Sequence, residues 1–95
     1  MQAKLINHNK LLYSDGSILE TKIWMVSKSQ RFPRGYKYSL VYIKDGERVI
    51  GYDNAEGKGD HRHYCNNEEP YVFISLKQLI NDFMADVKKI KGDLP

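Results

Sequence analysis

Two Asp-Gly pairs, Asp15-Gly16 and Asp45-Gly46, constrain this chain more than any other feature. A two-residue type I′ turn needs positive φ at both central positions, so Asp-Gly between alternating apolar segments is a strong hairpin signal. The first pair is expected to join a strand over residues 3–13 to one over 17–26. A two-residue loop there sets Leu12 against Leu19, Lys10 against Thr21, His8 against Ile23 and Ile6 against Met25. That set is mostly apolar and is expected to face the core, His8 included, leaving Asn7, Asn9, Glu20 and Lys22 for the wet face. The second pair is expected to join residues 36–44 to 47–53, with Tyr42 opposite Val49, Leu40 opposite Gly51 and Tyr38 opposite Asp53. Residues 27–35 between the hairpins read as a polar loop broken by Pro33 and Gly35.

Beyond the second hairpin, residues 54–60 read as a loop, 61–65 as a short strand, 66–70 as a turn and 71–74 as a further extended piece. Ser75 then opens a helix as N-cap, with Gln78 three residues on in a capping-box pattern. Leu76, Leu79, Ile80, Phe83, Val87 and Ile90 recur at helical spacing, while Lys77, Asp82, Asp86 and Lys89 are expected to face away. Lys88, Lys89 and Lys91 suit the carbonyl end, and Gly92 and Pro95 mark the stop. The expected fold is therefore α+β: one domain over residues 1–95, an antiparallel meander of about five strands with one C-terminal amphipathic helix packed on one face. A helix ~10 Å wide cannot cover five strands spanning roughly 20 Å. The sheet must curl, or a second copy or another partner must cover the remainder.

Composition narrows the class. The 95 residues are 41% hydrophobic and 28% charged, near the globular average, which excludes wholesale disorder. No apolar run approaches the ~20 residues needed to cross a bilayer, no signal segment is recognisable, and the single Cys65 allows no internal disulfide, so a reducing cytoplasm and no membrane are expected. The net charge of +3 is unevenly spread: residues 1–50 carry nine Lys or Arg against four acids, and from Lys22 to Lys44 there is no acid at all. Such a stretch is either an ordinary solvated surface or one that attracts a polyanion.

The chemistry concentrates in residues 51–64. A strand end delivers Asp53, a loop offers Lys58 between Gly57 and Gly59, and Asp60 precedes His61-Arg62-His63. Alternate residues of a strand share a face about 6.5–7 Å apart, so His61 and His63 project together, with Arg62 and Tyr64 on the reverse. Imidazole serves as base in one form and acid in the other near neutral pH. A base for a ribose 2′-OH, an acid for the leaving 5′-oxygen and a cation on the phosphate suffice for cleavage of RNA without metal or cofactor. His61 and His63 would be the acid–base pair, Asp53 or Asp60 the orienter of an imidazole, and Lys58 and Arg62 the phosphate ligands. Arg31, Arg34 and Lys37 would guide the strand, and tyrosines such as Tyr52 and Tyr64 would stack bases. Three other readings stand beside this one: a metal site from His61, His63 and Asp53 or Asp60, a non-catalytic binding surface, and a structural loop with solvated histidines. Cys65 has no second cysteine, and Glu68-Glu69 reads as a solvated turn.

The run Tyr52-Asp53-Asn54, then Gly57-Lys58-Gly59-Asp60-His61-Arg62-His63, Glu69-Pro70-Tyr71, and Asp82-Phe83 with Asp86-Val87 on the closing helix, resembles the TumE family of small prokaryotic toxins. Asp15-Gly16-Ser17, Trp24 and Tyr36-Lys37-Tyr38 extend the likeness over nearly the whole chain. The resemblance implies the toxin half of a type II toxin–antitoxin pair, neutralised by an adjacently encoded antitoxin, typically a small helix-turn-helix protein. It does not fix a mechanism; ribonuclease activity is inferred from the residues.

Overall fold

The computed structural model of the protein describes residues 3–55, 57 and 59–92. Among these there are six strands, β1 (Lys4–Leu12), β2 (Ile18–Met25), β3 (Tyr36–Lys44), β4 (Glu47–Asp53), β5 (His61–Tyr64) and β6 (Asn67–Pro70), followed by α1 (Leu76–Lys91). The strands form one antiparallel sheet in the order β1-β2-β3-β4-β5-β6, with α1 packed on one face. The α+β meander is as the sequence implies, with one strand more than about five. The extra strand is β6: Cys65 adopts φ 54°, the chain reverses over Cys65-Asn66, and Tyr64 pairs with Asn67. No glycine marks that reversal, and residues 71–74 are not a strand.

The helix face of the sheet presents Leu19, Ile23, Tyr38, Leu40, Tyr42, Ile50 and Tyr52, and α1 answers with Leu79, Phe83 and Val87, all buried in one core. Full burial of each such helix side chain contributes about 1.5–3 kcal/mol. Ser75 caps the helix, its Oγ accepting from the Gln78 amide at 3.0 Å, and Gly92 ends it at φ 77°. Asp86 does not face away; it is 4% exposed, for a reason that belongs to the site below. On β1, Leu5, Ile6, Leu11 and Leu12 remain exposed.

Local irregularities decide which residues share a face, one of them a register shift in β1 between Leu5 and Asn7. The first turn is a three-residue loop, not a two-residue one: Tyr13 and Ser17 close it, and Gly16, at φ 86°, donates to the Tyr13 carbonyl at 2.9 Å. Asp15 accepts from both the amide and the hydroxyl of Ser17, which holds its carboxyl well below the usual range with help from Lys91. Leu11 therefore pairs with Leu19 and His8 with Lys22. A one-residue slip moves every side chain to the other face. Asn7 turns to the helix side, accepting from Thr21 Oγ1 at 2.8 Å, and His8 is an exposed residue bonded to Glu20 at 2.9 Å, not a core residue. The second turn is as expected at Lys44↔Glu47, but a bulge follows, so Tyr42 pairs with Ile50, Leu40 with Tyr52 and Ser39 with Asp53. That extra residue places Asp53 on the open face, away from the helix.

Candidate active site

The site grows from the pairing of β4 with β5, which aligns Asp53 with His61, Tyr52 with Arg62 and Gly51 with His63. Because residues alternate along β5, the two histidines share the open face while Arg62 and Tyr64 take the helix face. His61 is 7% exposed. Its Nε2 lies 3.2 Å from Asp53 Oδ1 and 3.5 Å from Glu68 Oε1, and its Nδ1 lies 3.3 Å from the Gly59 carbonyl. All three partners are hydrogen-bond acceptors. Arg48 Nη1 stands 4.0 Å from Asp53 Oδ2. The arginine stem lies over Gly51, where an added Cβ would meet its Cδ at 3.1 Å. His63, half-buried, sits between Gly51 and Glu68 in the register.

The other face of β5 is architectural. Arg62 Nε and Nη2 grip the two oxygens of Asp86 at 2.7 and 2.9 Å, Nε also meets Tyr52 Oη at 3.0 Å, and Nη1 donates to Glu69 at 2.6 Å. Tyr52 Oη donates to Asp86 at 2.5 Å. This cluster explains the burial of Asp86. The bonds to Asp86 hold the guanidinium protonated above even its usual range, and burial, then Asp86, pushes the Tyr52 hydroxyl up. Arg62, Tyr52 and Tyr64 thus lie across the sheet from the histidines, with Tyr52 sealed in the core.

The remaining sequence candidates scatter. Asp60 accepts from Tyr38 Oη at 2.6 Å, so of the two aspartates it is Asp53 that meets the His61 ring. Arg31 donates to the Ala55 carbonyl and lies over Phe32, and Arg34 lies over Phe73. Lys37 is on the open face, 5.1 Å from the Trp24 ring centre. Lys58 lies outside the described residues. Sequence reading misses Glu68 and Arg48: Glu68-Glu69 reads as a solvated turn, and only the place of Glu68 in β6 opposite β5 brings it to His61. Among the described residues no group of three or more His, Cys, Asp or Glu is arranged to hold a metal ion.

The family model described as toxin TumE matches residues 2–91. The chain belongs to the TumE toxin family. Searches of curated proteins and of solved structures give no match. A TumE toxin role carries with it the expectation of an antitoxin partner. Among the described residues, no helix is long and apolar enough to cross a membrane.

Proposed function

We propose that this protein is the toxin of a type II toxin–antitoxin pair and inactivates RNA by metal-independent cleavage at the open face of β5, with a helix-turn-helix protein as its antitoxin. The observation that carries the reading is the contact of His61 Nε2 with Asp53 at 3.2 Å, with His63 two residues along the same face. His63 removes the proton of a ribose 2′-OH, the 2′-oxygen attacks phosphorus, and the bond to the 5′-oxygen breaks. His61, placed between Gly59, Asp53 and Glu68, acts as the acid that gives a proton to that leaving oxygen, and a cyclic phosphate and a 5′-hydroxyl result. Lys58 is the candidate phosphate ligand of this scheme. Losing a general acid or base costs roughly 10²–10⁴ in rate.

The test is incubation of purified protein with total RNA, with and without chelator. Fragmentation that chelator does not affect, and that His63→Ala abolishes in a protein with unchanged melting temperature, is the expected result. Full activity and toxicity of a folded His61→Ala/His63→Ala variant would remove the histidines from the mechanism. A second reading, a non-catalytic nucleic-acid-binding toxin, is favoured by the low exposure of His61, 7%. Intact RNA that is retarded on a gel would select it.

A further inference from the structure

We propose that the open face of the sheet is a track for single-stranded RNA, on which Trp24 is the platform that stacks a base and Lys22 and Lys37 hold the backbone. The inference rests on the RNA reading above and adds to it a substrate form and a subsite that the chemistry at His61 does not require.

Cross-strand pairing lines up His8, Lys22, Ser39, Asp53 and His61 as one row running across five strands to the candidate active site. Side chains on one face recur every second residue, so Trp24 shares the face of Lys22, opposite the buried Ile23. The pairing also sets Trp24 against Lys37. Lys37 Nζ lies 5.1 Å from the Trp24 ring centre. Lys22, Trp24, Lys37 and Ser39 are all half-buried, and no acidic residue lies among them on β2 or β3 at this end. The helix covers only the other face. From β2 to β5 the row crosses three strand spacings of about 4.8 Å, roughly 14 Å, a span of a few nucleotides.

A sheet face left uncovered by the helix, with an aromatic ring between cations, suits a strand whose bases are free to stack; a duplex keeps its base faces internal and offers only backbone. The cations supply the complementary charge. Glu20, the acid that β2 does carry, is bonded to His8 at 2.9 Å. This is why the occupant is a single strand rather than a duplex or an apolar protein surface.

Trp24 is the sole tryptophan, so its emission reports on the track directly. The probe is a single-stranded 2′-O-methyl oligoribonucleotide, which cannot be cleaved through a 2′-OH. Titration of the wild-type protein should quench Trp24 saturably and less tightly at higher salt. With a dye-labelled probe, Trp24→Leu should bind roughly 5- to 150-fold more weakly, and Trp24→Phe should retain most of the affinity. Lys37→Gln should flatten the salt dependence by about one counterion, which keeps the proposal testable if Trp24→Leu fails to fold. Binding with unchanged Trp24 emission and no loss in Trp24→Leu overturns the track, as does a duplex of the same sequence binding equally well. Emission already blue-shifted by self-association over Trp24 also overturns it. Quenching by the probe together with failure to cleave unmodified RNA supports the track and refutes the ribonuclease reading, so the two failures are distinct.

Discussion

Replacing Asp86 by alanine should make the protein unfold more easily. Asp86 is 4% exposed and accepts three hydrogen bonds, two from Arg62 and one from Tyr52. Removing one partner of a buried pair costs about 3–5 kcal/mol, because the other charge is left desolvated. Arg62 is 23% exposed and keeps Glu69 at 2.6 Å, which recovers part of that. The expected loss is therefore ~2–4 kcal/mol, against a total stability of about 5–14 kcal/mol for a chain of this size. At roughly 4–8 °C per kcal/mol, the melting temperature falls by about 8–32 °C. Urea denaturation followed by tyrosine and tryptophan emission gives the free energy, with an unchanged slope showing that the unfolded state is the same. The double variant Arg62→Met/Asp86→Leu should recover much of the loss, since well-packed apolar residues replace such pairs at little cost. A loss below about 1 kcal/mol for Asp86→Ala, or a double variant no better than the single, would refute the account of Asp86 as the anchor between sheet and helix.

Tyr38, Tyr52 and Tyr71 have hydroxyls pushed above the usual range, chiefly by burial and then by the acceptors Asp60, Asp86 and Asp82. In an ultraviolet titration these three should stay neutral at a pH where the tyrosines of the unfolded chain ionise. The unfolded chain releases those protons from about pH 10 upward while the folded one keeps them, so stability should fall as pH rises through that region. Tyr42→Phe and Tyr52→Phe should part in sign. The Tyr42 hydroxyl is buried with no hydrogen-bond partner among the described residues, and its removal should be neutral or stabilising by up to ~1 kcal/mol. Loss of the Tyr52 hydroxyl, which bonds Asp86 and Arg62, should cost ~1–3 kcal/mol by the same denaturation measurement.

The parts of this fold written in local chemistry were legible. Asp45-Gly46 turned the chain as its dipeptide requires, and Ser75 capped a helix whose apolar period was already clear. Asp15-Gly16 misled because the Asp15 carboxylate binds the amide and hydroxyl of Ser17, which favours a loop one residue longer. That single residue inverted the expected faces of residues 7–12, up to a second irregularity between Leu5 and Asn7. At the site, the shared face of His61 and His63 follows from strand alternation alone. The meeting of Asp53 with His61 comes from the pairing of β4 with β5, a register that no dipeptide announced. Asp86 looked solvated because its partner Arg62 is 24 residues away in the chain. Glu68 was hidden for a similar reason, as the hairpin over Cys65-Asn66 lacks a turn signature.

The two faces of β5 are joined through adjacent glutamates on β6, and this yields a coupling that can be measured. Arg62 holds Glu69 on the helix face, and alternation then carries Glu68 to the other face, where it meets His61 at 3.5 Å. Glu69 is exposed, so Glu69→Ala should cost under about 1 kcal/mol of stability. Its effect should fall instead on the placement of Glu68: RNA cleavage should drop in Glu69→Ala as it does in Glu68→Gln, and the two changes combined should be no worse than Glu68→Gln alone. Independent, multiplicative losses would mean that Glu69 acts by another route. A Glu69→Ala protein as active as wild type would mean that the clasp at Arg62 does not position β6, and that Glu68 reaches His61 without help from the other side of the sheet.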